Sequence, residues 1–272
     1  MAMQPGISFP FLLCLWLPLF QASPISLRQP ADAELSAVLT GLNSERPEKR
    51  EESLPKLIAL IRSDVAVKRR TDVQVAMAAL VSREADAIRN WAARARPGQE
   101  YDDEFYSGEV LPTAIDLVKD DVPEPEPALV AALVGSVYGT GSRLAQTLAG
   151  LGQPALSAVS KLSNSDDSSR RSNAYDILGL MLAKQATREL RQPLTNSSVA
   201  RAQGILIKAL KDHNVVARRD AVRAITTARY RGAIPALRLL AKTDPDVGQK
   251  GFDWNSVRGL AAAALKELTD VP

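Results

Sequence analysis

The chain carries one cysteine, Cys14, and one histidine, His213, in 272 residues. A single cysteine excludes a disulfide within the chain, and one residue of each kind excludes a zinc site built from Cys/His clusters. A Cys–His or Ser–His–Asp mechanism would have to run through His213. That residue sits in Lys211-Asp212-His213-Asn214, which reads as a solvated turn between helices with no positioned nucleophile beside it. A large excess of either charge is missing as well, with 34 Lys and Arg against 31 Asp and Glu. The whole molecule therefore has no field strong enough to select nucleic acid, which is disfavoured as a partner. No P-loop, dinucleotide fingerprint or zincin motif occurs, so the sequence nominates no catalytic residue, no metal site and no cofactor. Aromatics make up only 5% of the residues, a poor basis for sheets. Ala and Leu are abundant instead, and both lose little side-chain freedom in a helix. The expectation is an all-α protein.

The one long apolar run is Ile7 to Phe20 (ISFPFLLCLWLPLF). It is too short for a hydrocarbon core of about 30 Å but fits the apolar region of a signal peptide. Pro18 breaks a helix near its end. Small residues follow at Ala22, Ser23 and Ser26, and Ala31-Asp32-Ala33 has the A-x-A form of a cleavage site. Leu13 stands before Cys14 where a lipoprotein signal places a small residue. Residues 1–33 are thus read as a signal peptide with an N-terminal segment, and residues 34–272 as the mature domain, exported to a periplasm or secreted. The alternative is a cytoplasmic protein whose N-terminal run is an ordinary helix.

Beyond residue 34 helix pairs recur. Leu54, Leu57, Ile58 and Ile61 share one face, followed by Val73, Ala76, Met77, Leu80 and Val81 on the next. Leu156, Val159 and Leu162 precede Asn164-Ser165-Asp166-Asp167, then Ala174, Ile177, Leu178, Met181 and Leu182. Val199, Ala202, Leu206, Ala209 and Leu210 lead through the Asp212 turn to Ala221, Ala224 and Ile225, and Leu237 and Leu240 lead to Val257, Leu260, Ala261, Ala264 and Leu268. The i, i+3, i+4, i+7 spacing is that of helices with one buried stripe. First helices are expected to begin near Pro55, Pro112, Pro154, Ile205 and Pro235.

The segments Ile205-Leu206-Ile207-Lys208-Ala209-Leu210-Lys211-Asp212, Val216-Ala217-Arg218-Arg219-Asp220-Ala221, Ala233-Ile234-Pro235-Ala236-Leu237 and Ser256-Val257-Arg258-Gly259-Leu260-Ala261 resemble the HEAT-repeat family. The resemblance is good over 154–183 and 199–268, fair over 54–81 and poor over 94–152. It implies a right-handed α-solenoid of about five helix pairs, each burying its apolar face against its neighbours. Three stretches depart from the pattern: the acidic, aromatic loop 94–109, the connector in which Pro123, Pro125 and Pro127 alternate with glutamates, and the insertion 248–255.

Arg70, Arg171, Arg218 and Arg258 fall near the starts of second helices, where the macrodipole disfavours a cation. Acidic residues precede each of them: Asp64, Asp166 with Asp167, Asp212, and Asp244 with Asp246. The favoured reading is a structural ladder of Asp–Arg contacts stitching one turn to the next, drawn from Asp64, Arg70, Asp166, Arg171, Asp212, Arg218, Asp246 and Arg258, with Arg218 expected on a turn aspartate such as Asp212, the role such residues have in the family. The competing reading is a basic stripe, thickened by Arg69, Arg170, Arg219 and Arg223. The loop Glu100-Tyr101-Asp102-Asp103-Glu104-Phe105-Tyr106 lacks the spacing of a calcium loop and suits recognition, its aromatics supplying contact area.

These features favour a non-enzymatic scaffold that binds a protein or peptide on the concave face lined by its second helices. Gln74, Asp176, Arg219 and Arg223 lie outside the apolar stripes on those helices, and with Tyr101, Phe105 and Tyr106 they are the expected contact residues. The alternative is an enzyme on the same fold, like the chromophore lyases or DNA glycosylases that some HEAT-like proteins resemble.

Overall fold

Helical periodicity in the sequence becomes helix almost throughout the computed structural model, which describes residues 30–92, 94, 106–119, 122, 124–137, 142–247 and 255–270. The apolar run at 7–20 and the loop residues Tyr101 and Phe105 lie outside these. Helices α1 (Pro30–Leu42), α2 (Pro47–Ser63) and the single turn α3 (Val65–Lys68) lead into α4 (Thr71–Ala92). A π-helical turn, Tyr106–Val110, precedes α5 (Leu111–Asp116), α6 (Pro127–Gly135) and α7 (Arg143–Leu151). The rest of the chain forms α8 (Gln153–Leu162), α9 (Ser168–Thr187), α10 (Asn196–Ala209), α11 (Val215–Thr227), α12 (Ile234–Thr243) and α13 (Val257–Asp270). No strand occurs among the described residues, only an isolated bridge between Gly152 and Gln192.

The helices stack in two rows. In one, α7 packs on α9, α9 on α11 and α11 on α13; in the other, α6 packs on α8 and α8 on α10. Each row meets the other within a pair, α8 with α9, α10 with α11 and α12 with α13. At the N-terminal end α1 packs on α2 and α4, and α4 passes the stack on to α6. One continuous core results, from Leu35 and Leu57 through Leu133 and Leu178 to Leu237 and Leu268. Each fully buried leucine or isoleucine contributes about 1.5–3 kcal/mol by leaving water. This is an all-α solenoid, in which every unit is stabilised chiefly by its neighbours.

Local signals set the helix starts. Proline occupies the first turn of α2, α5, α6, α8 and α12, where its missing N–H costs nothing. Side chains of Asp167, Thr195 and Asn214 accept backbone N–H groups at the starts of α9, α10 and α11. Two expected starts are corrected. The helix expected to start near Pro55 begins at Pro47, so Pro55 lies inside α2, on its exposed side where solvent can serve the carbonyl it leaves without a donor. Helix α10 begins at Asn196, a full two turns before Ile205, because Thr195 supplies a cap. Pro127 opens α6, so the extended connector ends at Glu126.

Candidate functional site

Arginines organise the turns, and Arg218 reaches one unit further than the Asp212 expected for it. Arg171 donates from Nε and Nη2 to both carboxylate oxygens of Asp212, at 2.7 and 2.8 Å, and from Nη1 to the carbonyls of Ser165 and Asp166 at 2.8 and 2.9 Å. Arg218 repeats this one unit later. Its Nε and Nη2 reach Asp244 at 2.8 and 3.1 Å, while Nη1 reaches the carbonyls of Asp212 and His213 at 2.9 and 3.3 Å. Each arginine therefore takes the carbonyls of its own turn and the carboxylate of the next. The carbonyls it meets lie in the turn just before its own helix, and with the carboxylate of the next turn they offset its poor place near a helix start.

The one pairing expected by name, Arg218 with the Asp212 carboxylate, is corrected accordingly. Asp166 gives Arg171 only its carbonyl, and Asp212 gives Arg218 only its carbonyl. Asp64 caps α3 by accepting Ala66 N–H, and Arg70 instead meets Asp32 and Asp72 at 2.6 and 2.8 Å on an open surface. Asp246 accepts from Arg219 at 2.8 Å, while Arg258 takes the carbonyl of Asp244 at 2.5 Å. Nor are the four arginines equivalent in position: Arg70 precedes α4, Arg258 is the second residue of α13, and Arg171 and Arg218 are the fourth residues of α9 and α11.

Burial separates these pairs. The Arg171 and Asp212 side chains are 8% and 3% exposed and those of Arg218 and Asp244 11% and 4%, against 40% and 45% for Arg70 and Asp32. Burial alone would raise the Asp212 carboxyl, but hydrogen bonds from Arg171, the Asn214 amide and Tyr175 outweigh it and hold the group down at about 2. Burial, helped by its 2.9 Å hydrogen bond to Asp212, pushes the Tyr175 hydroxyl well above its ordinary range. Tyr175 is thus a neutral donor that completes the pair.

The expected contact residues divide. Gln74 is corrected: it is buried, donating to the Lys68 carbonyl at 2.9 Å and accepting from the Glu126 amide, so it fixes the connector to α4. Arg219 is held by Asp246. Arg223 spans Asp220, at 3.0 Å, and Asn255, at 2.9 Å, and stays half exposed. Asp176 and Arg223 do come together, with Asp220, Thr226, Thr227 and Glu267, around a cleft of about 510 Å³ floored by Val222, Leu260, Ala263 and Ala264. This cleft runs across α9, α11 and α13. Tyr106 opens the π-helical turn; Tyr101 and Phe105, as noted, are outside the described residues.

A second concavity, of about 880 Å³, was not legible in the apolar pattern. It lies between the 163–166 turn and α10, with Arg171, Tyr175 and Asp212 behind it and Arg201, Gly204, Ile205, Lys208, Lys211 and His213 along it. The signal available in the sequence was a glycine between two cations seven residues apart. Among the described residues no three His, Cys, Asp or Glu side chains gather closely enough to hold a metal ion. No described helix is long and apolar enough to cross a membrane.

No protein-family model and no curated protein matches the chain. Among solved structures, a designed armadillo repeat protein is similar at 18% identity over 86% of this chain and 100% of its own, with a TM-score of 0.35. Two engineered proteins are similar at 17% and 18% identity, covering 88% of this chain and 97% and 69% of theirs, with TM-scores of 0.34 and 0.33. The class is defined by the stacking itself: a helical-repeat solenoid.

Proposed function

We propose that the chain is a non-enzymatic HEAT-type scaffold that binds an extended protein segment along α9, α11 and α13, on the face where the second helices were expected to line a concave surface. The cleft across these three helices carries the reading. Its apolar floor, open at Ala263 and Ala264, accepts a main chain, and Asp176, Glu267 and the threonine hydroxyls offer polar anchors around it. A stacked solenoid presents such a surface already ordered, so little of the binding energy is lost to organising it. Arg219 and Arg223 are tied into ion pairs, so reversing them would disturb the fold as well as the surface.

The test is selection of a random dodecapeptide library on the folded chain, followed by affinity measurements on Ala263→Arg and Thr227→Arg, which fill the cleft from two helices. Selected peptides are expected to lose at least tenfold in affinity for either variant, with melting temperatures unchanged. Peptides that bind both variants as well as the parent would place recognition elsewhere.

We also propose export, with processing upstream of Asp32. The apolar run at 7–20 motivates export, and two features of α1 support a cut upstream of Asp32: Asp32 pairs with Arg70, and Leu35, Val38 and Leu42 are core residues. Mass spectrometry of the mature protein is expected to find a start between about Ser23 and Ala31. An intact Met1 terminus in the cytosolic fraction would reverse the assignment.

A further inference from the structure

The groove beside α10 differs from the cleft in sign. Arg171 and Asp212 neutralise each other at its back. Along the α10 side, Arg201, Lys208 and Lys211 are exposed, and none of the ion pairs among the described residues involves them. Asp166 is the one other carboxylate in the lining, so a positive surplus remains. The cleft on α9, α11 and α13 sets Asp176, Asp220 and Glu267 against Arg223 alone.

Gly204 is the second observation. It sits in the middle of α10, where glycine is a poorer helix former than alanine. No close approach within the chain requires it, since a Cβ built there would meet nothing within 4 Å. Gly179 is the contrast: a Cβ there would lie 2.7 Å from the Ala224 carbonyl oxygen, so close helix packing explains that glycine. At Gly204 no contact explains the glycine, and the missing side chain leaves the groove open between Arg201 and Lys208.

We infer that this groove docks an acidic, extended segment of a protein partner, whose main chain passes over Gly204 while its carboxylates meet Arg201 and Lys208. The spacing follows from geometry. Seven residues of helix advance about 10 Å, and an extended chain in the polyproline II form covers nearly that distance in three residues, one full turn, so side chains three positions apart share a face. Acidic side chains three positions apart therefore match the two cations, with Lys211 available to a further one. A nucleic acid fits less well, because the exposed Asp166 faces the same space and would repel a continuous row of phosphates. The surface is separate from the cleft on α9, α11 and α13, so a partner could engage both or either.

The experiment is fluorescence anisotropy on the full folded chain with a fluorescein-labelled glycine–serine peptide bearing a glutamate at every third position. A peptide of the same composition with its glutamates adjacent, and a single-stranded oligonucleotide of twelve bases, are the comparison probes. The spaced peptide is expected to bind at least fivefold more tightly than the clustered one, and to weaken as salt rises. Arg201→Glu with Lys208→Glu should cut its affinity at least tenfold. Gly204→Leu should do the same while raising the melting temperature, an outcome that loss of fold cannot produce, whereas Ala263→Arg in the cleft should leave it unchanged. Equal binding of the two peptides, or affinity that survives Gly204→Leu, overturns the proposal. Tighter binding of the oligonucleotide overturns the partner class.

Discussion

Arg171→Ala will lower the free energy of unfolding by about 3–5 kcal/mol, far more than loss of an exposed ion pair. The substitution leaves the Asp212 carboxylate buried without its cation, and leaves the carbonyls of Ser165 and Asp166 without the guanidinium donor they share. It also uncouples two successive turns, which in a solenoid are held chiefly by nearest neighbours. Denaturant melts measure the loss, and a double-mutant cycle locates it. Arg171 should couple to Asp212, and Arg218 to Asp244, by about 1–3 kcal/mol each. Arg218 should couple to Asp212 far less, since it touches only that residue's carbonyl. The same pair sets an acid limit. Asp212 is held at about 2 in the folded chain against an ordinary value of 3.8, so its depressed value contributes stability at neutral pH. That contribution is complete above about pH 4 and is lost as pH falls toward 2, amounting to about 2 kcal/mol. In Asp212→Asn this part of the acid dependence should vanish.

Gly179→Ala will destabilise the chain by about 1–3 kcal/mol even though alanine is the better helix former. The new Cβ would stand 2.7 Å from the carbonyl oxygen, 2.8 Å from Cα and 2.9 Å from Cβ of Ala224, and two of these are backbone atoms that cannot turn aside. Helices α9 and α11 would have to separate, and with them the rows that form the cleft. Gly204→Ala should act in the opposite direction, stabilising by about 1 kcal/mol, because it gains helix propensity and meets nothing. Thermal melts of the two variants side by side distinguish a packing glycine from one that the fold does not need.

Much of this architecture was readable from the sequence because it depends on local, periodic signals. Leu57, Met77, Leu178 and Leu206, placed on apolar stripes by spacing alone, are all fully buried. The charged turns were readable in kind but not in register. Sequence proximity favours Asp212 for Arg218, yet the long guanidinium reaches across to Asp244, because stacking brings the next turn as near as its own. Gln74 shows a related difficulty: its period put it off the stripe, but a connector folding back over α4 buried it against Glu126. The groove beside α10 escaped the pattern because it is defined by an absence, the missing side chain of Gly204, which hydrophobic periodicity does not register.

The central claim, that a protein segment lies along α9, α11 and α13, is tested most directly by photo-crosslinking. A benzophenone side chain is placed at position 263, within the cleft on α13, and separately at position 239, where the α12 leucine is 59% exposed. Each labelled chain is irradiated with a peptide selected from the random library. The proposed binding mode gives a crosslinked product from position 263, none from 239, and loss of the product when unlabelled peptide competes. Crosslinking from 239 with none from 263 would contradict it.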